Sequence, residues 1–439
     1  MTVQIAFEGE PGYAVPRANT IVAERPAGVV TARSAADVQE AVRHAAASDL
    51  PVAVQATGHA YTLPADGALL VSTQEMSGIT IDAEARTARV EAGVRSGSLI
   101  AAAAEHGLAP INGASPTVGT VGFTLGGGLG PLGRSYGYAA DNVRSLEIVT
   151  ADGSLLTVSP SDELFWGVRG SRGNLGVVTA LVTDLVPVTR LYGGGLFFDA
   201  ASTVRVLEVY REWVTTVPES MSTSFAFLRL PPLEVLPEPL RGKFVLHVRI
   251  AYTGTDGEAL VRPLRAAATP VIDGVGEMPY TEVGTIHNDP TEPAPFVEKS
   301  ALLQEFSGET LKVLLDLAGP DVDAPLTIVE LRQLGGALAR RPSRPSAVGF
   351  RDAAFSVFVG TAGLPELVEP AHECHAQLVD ALSPWRVGGP YVCFLSGTDT
   401  DPSVVATAYE PADYARLQAL KSTFDPTNLF RINHNIPPG

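Results

Sequence analysis

Along the first 190 residues, apolar and polar positions change over in short steps. "GVVTA" (28–32) is β-branched and predicts a strand. Ser34 precedes "AADVQEAVRHAAA", where Val38 and Val42 fall four apart on one helical face. Asp37, three residues after Ser34, makes a capping-box-like start. "LPVAVQA" (50–56) predicts a second short strand that runs into the loop "TGHAYT". "ALLVST" (68–73) is another apolar run, and "GITIDAEARTARVEAG" (78–93) alternates around a polar turn, as a hairpin does. "SGSLIAAAAEHGL" (96–108) predicts a helix closed by Gly107. After a glycine-dense stretch, "NVRSLEIVTADGSLLTVS" (142–159) predicts two strands around Ala151-Asp152-Gly153.

Near residue 190 the pattern changes. Longer strand-like runs ("FVLHVRIAYT", "AAFSVFVG", "YVCFLSG") alternate with helical stretches ("ASTVRVLEVYREWVTTV", "ELVEPAHECHAQLVDAL"), separated by Pro-rich connectors at 231–239, 290–295 and 342–345. This predicts an α+β second domain. The tail reads as a helix with Pro411 at its start, ended by Asp425-Pro426, then a polar extended segment.

A length of 439 residues exceeds one core, so two domains are expected. The net charge of −17 argues against a nucleic acid or anionic membrane as partner. Two cysteines, Cys374 and Cys393, exclude a disulfide framework. With no basic-then-apolar leader and no spanning run, the expectation is a cytoplasmic protein, monomer or homodimer, acting on a small molecule.

Two features carry chemistry. His59 sits behind Gly58 in a small loop where packing has no use for an imidazole. The second is "GASPTVGTVGFTLGGGLGPLGRSYG" (113–137). Gly128, Gly130 and Gly133 match G-x-G-x-x-G, but Pro131 lies inside the match and further glycines precede it, which rejects a nicotinamide Rossmann site. Glycines interleaved with Val118, Val121, Phe123, Leu125 and Leu129 suit a wall where backbone lies against a flat ligand. Loop and wall together suit one planar cofactor with a phosphate tail. His372 and His375 flank Cys374 without a zinc motif, so a solvated helix face and no metal are expected.

"ARSAADVQEAVRHAAASDLPVAVQATGHAYT", "SPTVGTVGFTLGGGLGPLGRSYGYAADNV", "ELFWGVRGSRGNLGVVT", "YVCFL" and "FDPTNLFRINHNIPP" together resemble the berberine-bridge-enzyme-like oxidases of the vanillyl-alcohol-oxidase superfamily, which include bacterial hydroxynicotine oxidases and antibiotic-tailoring oxidases. The resemblance implies a two-domain PCMH-type α+β fold. An FAD-binding domain would span 1–190 and an antiparallel-sheet substrate domain flanked by helices 191–404, with 405–439 returning to the FAD domain. It implies FAD bonded covalently to His59. The second, cysteinyl bond of some members falls at Ser115, so a single linkage is expected. Carried over by motif, Ala56, Thr57, Gly58, His59 and Ala60 meet the pyrophosphate. Ser115, Thr117, Gly119, Gly122 and Gly126 wall the ring, supported by Asp141 and Asn142. Gly176, Val177 and Val178 run along the adenosine, and Asn433 and Asn435 return to the flavin. Phe123, Thr57 and Arg172 depart from residues usual in the family.

The implied activity is hydride transfer from a small alcohol, amine or sugar-like substrate to the flavin, with reoxidation by dioxygen to peroxide. The alternative is a flavin-scaffolded cyclisation or rearrangement without net oxidation. No motif marks the base. His287, Glu330, Tyr409 and Tyr414 are candidates, with Tyr414 and His287 carried forward as catalytic.

Overall fold

The chain is described from a computed structural model over residues 3–59, 63–363 and 365–439. β1 (Gly28–Thr31), β2 (Val52–Gln55) and β3 (Leu69–Ser72) form a parallel sheet with β3 in the middle. The helix Ala35–Ala47 makes the crossover that parallel strands require and buries Val38, Ala41, Val42 and Ala45. Its start is capped as predicted. Ser34 Oγ accepts from the Asp37 amide at 3.3 Å, and Asp37 Oδ2 accepts from the Arg33 amide at 2.9 Å.

β4 (Ile79–Asp82), β5 (Thr87–Glu91), β6 (Val143–Val149), β7 (Leu155–Val158) and β8 (Val177–Asp184) form an antiparallel sheet in the order β4-β5-β8-β6-β7. Both predicted hairpins are present, β4–β5 and β6–β7.

The third sheet holds β9 (Arg190–Asp199), β10 (Met221–Arg229), β11 (Phe244–Tyr252), β12 (Ile272–Asp273), β13 (Gly276–Pro279), β14 (Phe296–Leu303), β15 (Ile328–Gln333) and β16 (Phe355–Ala362). Its strands are antiparallel, in the order β12-β9-β11-β10-β15-β16-β14, with β13 also on β9. Strand residues alternate between faces. Phe225, Val248, Leu331 and Val357 point to one face, where the helices Thr203–Trp213, Gly257–Ala267 and Gly308–Ala318 bring Tyr210, Leu264 and Leu314 to form one apolar core. The alternate positions place a polar row on the other face. Arg249 pairs with Ser224, and Ser224 with Arg332; two residues along, His247 pairs with Ala226, and Ala226 with Glu330.

Two local readings differ from the structure. "YVCFLSG" is not a strand: Val392–Phe394 is a 3-10 turn whose carbonyls serve the Arg172 guanidinium (Val392 O at 2.8 Å) instead of a ladder. His375 is not on a solvated face. It is buried at i+4 from Ala371, and its Nε2 lies 2.9 Å from Thr361 Oγ1. Among the described residues no cluster of three metal-ligating side chains occurs, and no helix is long and apolar enough to cross a membrane.

Candidate functional site

The His59 loop is held from below by the N-terminal segment. The Ala18 and Asn19 amides donate to the Thr57 and Gly58 carbonyls at 3.3 and 3.1 Å, and Gln55 Nε2 donates to Pro16 O at 3.0 Å. Gly58 has φ +62°, and a Cβ there would stand 2.4 Å from Arg17 Cβ, so glycine is needed on both counts. The wall lies directly against this loop: a Cβ on Gly119 would touch Thr57 Cγ2 at 3.5 Å and Ala56 Cβ at 3.7 Å. Ser115 is buried, with its Oγ 2.9 Å from Thr117 Oγ1. Further along, a Cβ on Gly126 would stand 3.3 Å from Cys393 Cα, and the Leu125 carbonyl accepts from the Gly170 amide at 2.9 Å. The tail closes the series. Asn174 Nδ2 donates to His434 O at 3.0 Å and Asn174 Oδ1 accepts from the Ile436 amide at 2.8 Å, which brings the segment of Asn433 and Asn435 beside residues 171–176.

Facing the wall is the polar row of the large sheet. Glu330 is its hub. Its Oε1 accepts from Ser224 Oγ at 2.6 Å and lies 2.9 Å from Arg249 Nη1, and its Oε2 lies 2.9 Å from Arg332 Nη2. Burial alone would raise this carboxyl's pKa; the two guanidiniums outweigh burial and hold it well below the usual range. His287, at the end of the turn Tyr280–Ile286, sits with Nε2 3.5 Å from Glu330 Oε1. Burial, reinforced by Arg249, holds its pKa below the ordinary imidazole value against the pull of Glu330. Arg332 also reaches the wall, donating to Leu129 O at 3.3 Å. Asp289 acts electrostatically on both His59 and Arg332. A cavity partly open to solvent lies between Leu129–Pro131 and this row.

The polar atoms left open fit the FAD that the resemblance implies. His59 Nδ1, Asn433 Oδ1 and Asn435 Oδ1 are buried with no hydrogen-bond partner among the described residues. An orphaned buried group costs on the order of 1–3 kcal/mol, so a partner from a ligand suits them. A Cβ on Gly122 would meet nothing within 4 Å, which leaves room for a ring over the wall. Burial lowers the His59 pKa, keeping the imidazole neutral and nucleophilic.

The structure brings Ala56 and Thr57 of the loop against Gly119 of the wall and pairs Ser115 with Thr117, while Gly122 lies on the helix Thr120–Leu125 and Gly126 at its end. Ala60 lies outside the described residues. Gly176, at φ +150°, leads into β8, where Val177 and Val178 are buried strand residues paired with Val149 and Ile148. Asp141 is tied to Arg351 at 2.6 Å, and Asn142 Nδ2 donates to Tyr138 O at 2.9 Å, both bracing the turn after the wall. His287 lines the cavity. Tyr414 does not join it: its hydroxyl faces Pro402 O at 3.4 Å, on the helix Pro411–Phe424, with no bond to the charged row. Arg249, Arg332 and Ser224 were missed. Their signal was present in "FVLHVRIAY" and "IVELRQ", where polar residues stand two apart inside apolar strands and so share one face.

The chain matches two families, the FAD binding domain over residues 26–159 and "Berberine and berberine like" over residues 394–437. It is 29% identical over 436 residues to (R)-6-hydroxynicotine oxidase of Paenarthrobacter nicotinovorans, covering 94% of this chain and 92% of that protein. The crystal structure of 6-hydroxy-D-nicotine oxidase from Arthrobacter nicotinovorans superposes with a TM-score of 0.82 at 25% identity, covering 100% of this chain and 98% of that one. Glucooligosaccharide oxidase from Acremonium strictum, a 6-S-cysteinyl, 8α-N1-histidyl FAD protein, shares the fold with a TM-score of 0.85 at 20% identity, over 100% of this chain and 97% of its own. The two-domain α+β architecture is thus the PCMH-type FAD-oxidase fold. Both family matches fall on the positions that build the wall and the tail: the chain carries an FAD binding domain and a berberine-like C-terminal segment, and over its length it is similar to FAD-linked oxidoreductases.

Proposed function

We propose that the protein is an oxidase that converts a small alcohol, amine or sugar-like substrate in the cavity beside Leu129–Pro131, with dioxygen as second substrate and hydrogen peroxide as product. FAD, when bound, supplies the two-electron acceptor for the substrate's hydrogen. The observation that carries the reading is a pair of open imidazole atoms, His59 Nδ1 on the loop and His287 Nδ1 on a residue that lines the cavity, each buried and without a partner among the described residues.

His59 would hold the flavin covalently and alone. The support is its free, buried nitrogen and the hydroxyl at Ser115, which lacks a thiol's nucleophilicity. Ala56, Thr57, Gly58 and Ala60 would follow the pyrophosphate and Thr117, Gly119, Gly122 and Gly126 the ring. Gly176, Val177 and Val178 would follow the adenosine, and Asn433 and Asn435 the ring edge. The division of labour would be an FAD domain over 1–190, a substrate domain over 191–404 and a returning tail over 405–439.

His287 is the proposed base, in preference to Tyr414. Nε2 stands between Glu330 Oε1 at 3.5 Å and the Arg332 guanidinium at 3.4 Å; as base, His287 would carry Nε2–H toward Glu330 and not accept from Arg332, leaving the Nδ1 lone pair to take a proton from the substrate's hydroxyl or amine. Glu330 then stabilises the imidazolium, while Ser224 and the two arginines keep the carboxylate in place. The test is a panel of alcohols, amines and sugars with oxygen uptake and peroxide measured together. The reading expects equimolar uptake and peroxide, and anaerobic bleaching of the yellow protein by the same compound. Conversion of a compound with no oxygen uptake and no bleaching would contradict it and favour a rearrangement.

A further inference from the structure

We infer that the cavity takes a substrate bearing a carboxylate, held by Arg249 and Arg332, with an apolar body toward the wall. The inference rests on the oxidase reading and names the substrate class of the same site.

The lining is basic, although the protein as a whole carries −17. Arg134, Arg249, Arg332 and His287 line the cavity, and no Asp or Glu does among the described residues. Glu330 stands behind the two guanidiniums and is shared between them, one carboxylate against two positive charges. Among the described residues Arg134 is matched by backbone carbonyls alone, Met221 O at 2.7 Å, Leu334 O and Pro218 O at 3.4 Å. Asp289 acts on Arg332 and Glu219 on Arg134 at longer range; neither lines the cavity, and Glu219 is paired with Arg340 at 2.6 Å.

The arginines also have donors to spare. Arg249 is 3% exposed at its side chain, and its Nε donates to His247 Nδ1 at 3.2 Å. Its Nη1, though 2.9 Å from Glu330, has no acceptor in line with an N–H bond. A buried guanidinium with unmatched donors is costly in an empty apolar site and favourable against an anion. The fork geometry of two neighbouring guanidiniums suits a planar carboxylate. Leu129, Ile250, Ala251, Ile286 and Leu338 give the lining an apolar side, while Ser222, Thr223, Ser224 and Gln333 add neutral polar groups. A small acid with an aromatic or aliphatic body satisfies both halves.

The test titrates the purified yellow holoenzyme with benzoate and with its neutral isostere benzamide, reading the shift in the flavin's visible absorbance. The expectation is that benzoate binds about tenfold or more tighter than benzamide. Arg332→Met should lose about tenfold for benzoate and leave benzamide unchanged, and Arg332→Lys should keep part of the benzoate affinity. Arg249→Met leaves Glu330 with less compensation, so the neutral pair Arg249→Met with Glu330→Gln serves where the single variant fails to fold. Equal binding of acid and amide, no benzoate effect, or benzoate binding unchanged in Arg332→Met overturns the inference. A peroxide-producing substrate with no acid group would overturn it and leave the oxidase reading standing. Benzoate selectivity in a protein that turns over nothing with oxygen would do the reverse.

Discussion

Lys421→Met is the sharpest structural perturbation of the tail. Lys421 lies on the helix Pro411–Phe424 with its side chain 0% exposed, and its three N–H donors are all used: Asp425 Oδ2 at 2.6 Å, Asn174 O at 2.8 Å and Phe430 O at 3.2 Å. Asp425 in turn accepts from the Leu429 and Phe430 amides at 2.7 and 2.9 Å. One ammonium therefore ties the Asn174 turn to the segment that carries Asn433 and Asn435. Methionine fills most of the volume but strands a buried carboxylate and two carbonyls. Breaking one side of a buried pair costs about 3–5 kcal/mol. At roughly 2–4 °C per kcal/mol for units of this size, the melting temperature should fall by about 6–20 °C. Scanning calorimetry reads the fall, and the flavin-to-protein absorbance ratio of the purified variant should drop with it. Lys421→Met/Asp425→Leu removes the stranded charge and should cost less than the sum of the single variants. A shift of under about 2 °C in Lys421→Met, or strict additivity in the pair, would refute the reasoning.

Three further outcomes are expected. Burial raises the Glu298 pKa to about 7, with Arg172 opposing and Asp399 adding, against an ordinary 4.5. Its stabilising contribution is therefore whole below pH 4.5 and lost as pH rises through about 7, so Glu298→Gln should raise the melting temperature more at pH 8 than at pH 5; an equal gain at both would contradict this. A Cβ at Gly130 would stand 1.8 Å from Asn112 O, so Gly130→Ala must move backbone and should cost more than the ~1–3 kcal/mol of ordinary overpacking, read as lost soluble yield and a lower melting temperature. His287→Gln should lower kcat/KM by roughly 10²–10⁴ and abolish its acid limb. In the wild type that limb should lie below pH 6.5, because burial depresses this imidazole and only its neutral form accepts a proton. A limb that survives in the variant assigns it elsewhere.

Much of the packing between loop and wall was legible because its requirements are local. Gly58 needs a positive φ and a close approach to Arg17, and Gly119 admits the Thr57 loop; such demands leave glycines in the sequence. The hairpins and the Ser34 cap were equally readable from turn chemistry. The charged row was not, since Arg249, Ser224 and Arg332 come from three strands and only the antiparallel register brings them abreast. "YVCFL" misled because its apolar run looks like a strand, while a distant guanidinium, Arg172, takes its carbonyls. Tyr414 misled by position in the chain: closeness to the tail motif is not closeness to the cavity.

The most direct measurement is peptide mapping of the native, purified protein after acid denaturation and washing. The account predicts a washed protein that stays yellow, an intact mass raised by one FAD, and a single flavinylated peptide containing His59. A colourless pellet with unmodified mass, or flavin on a peptide containing Ser115, would contradict it.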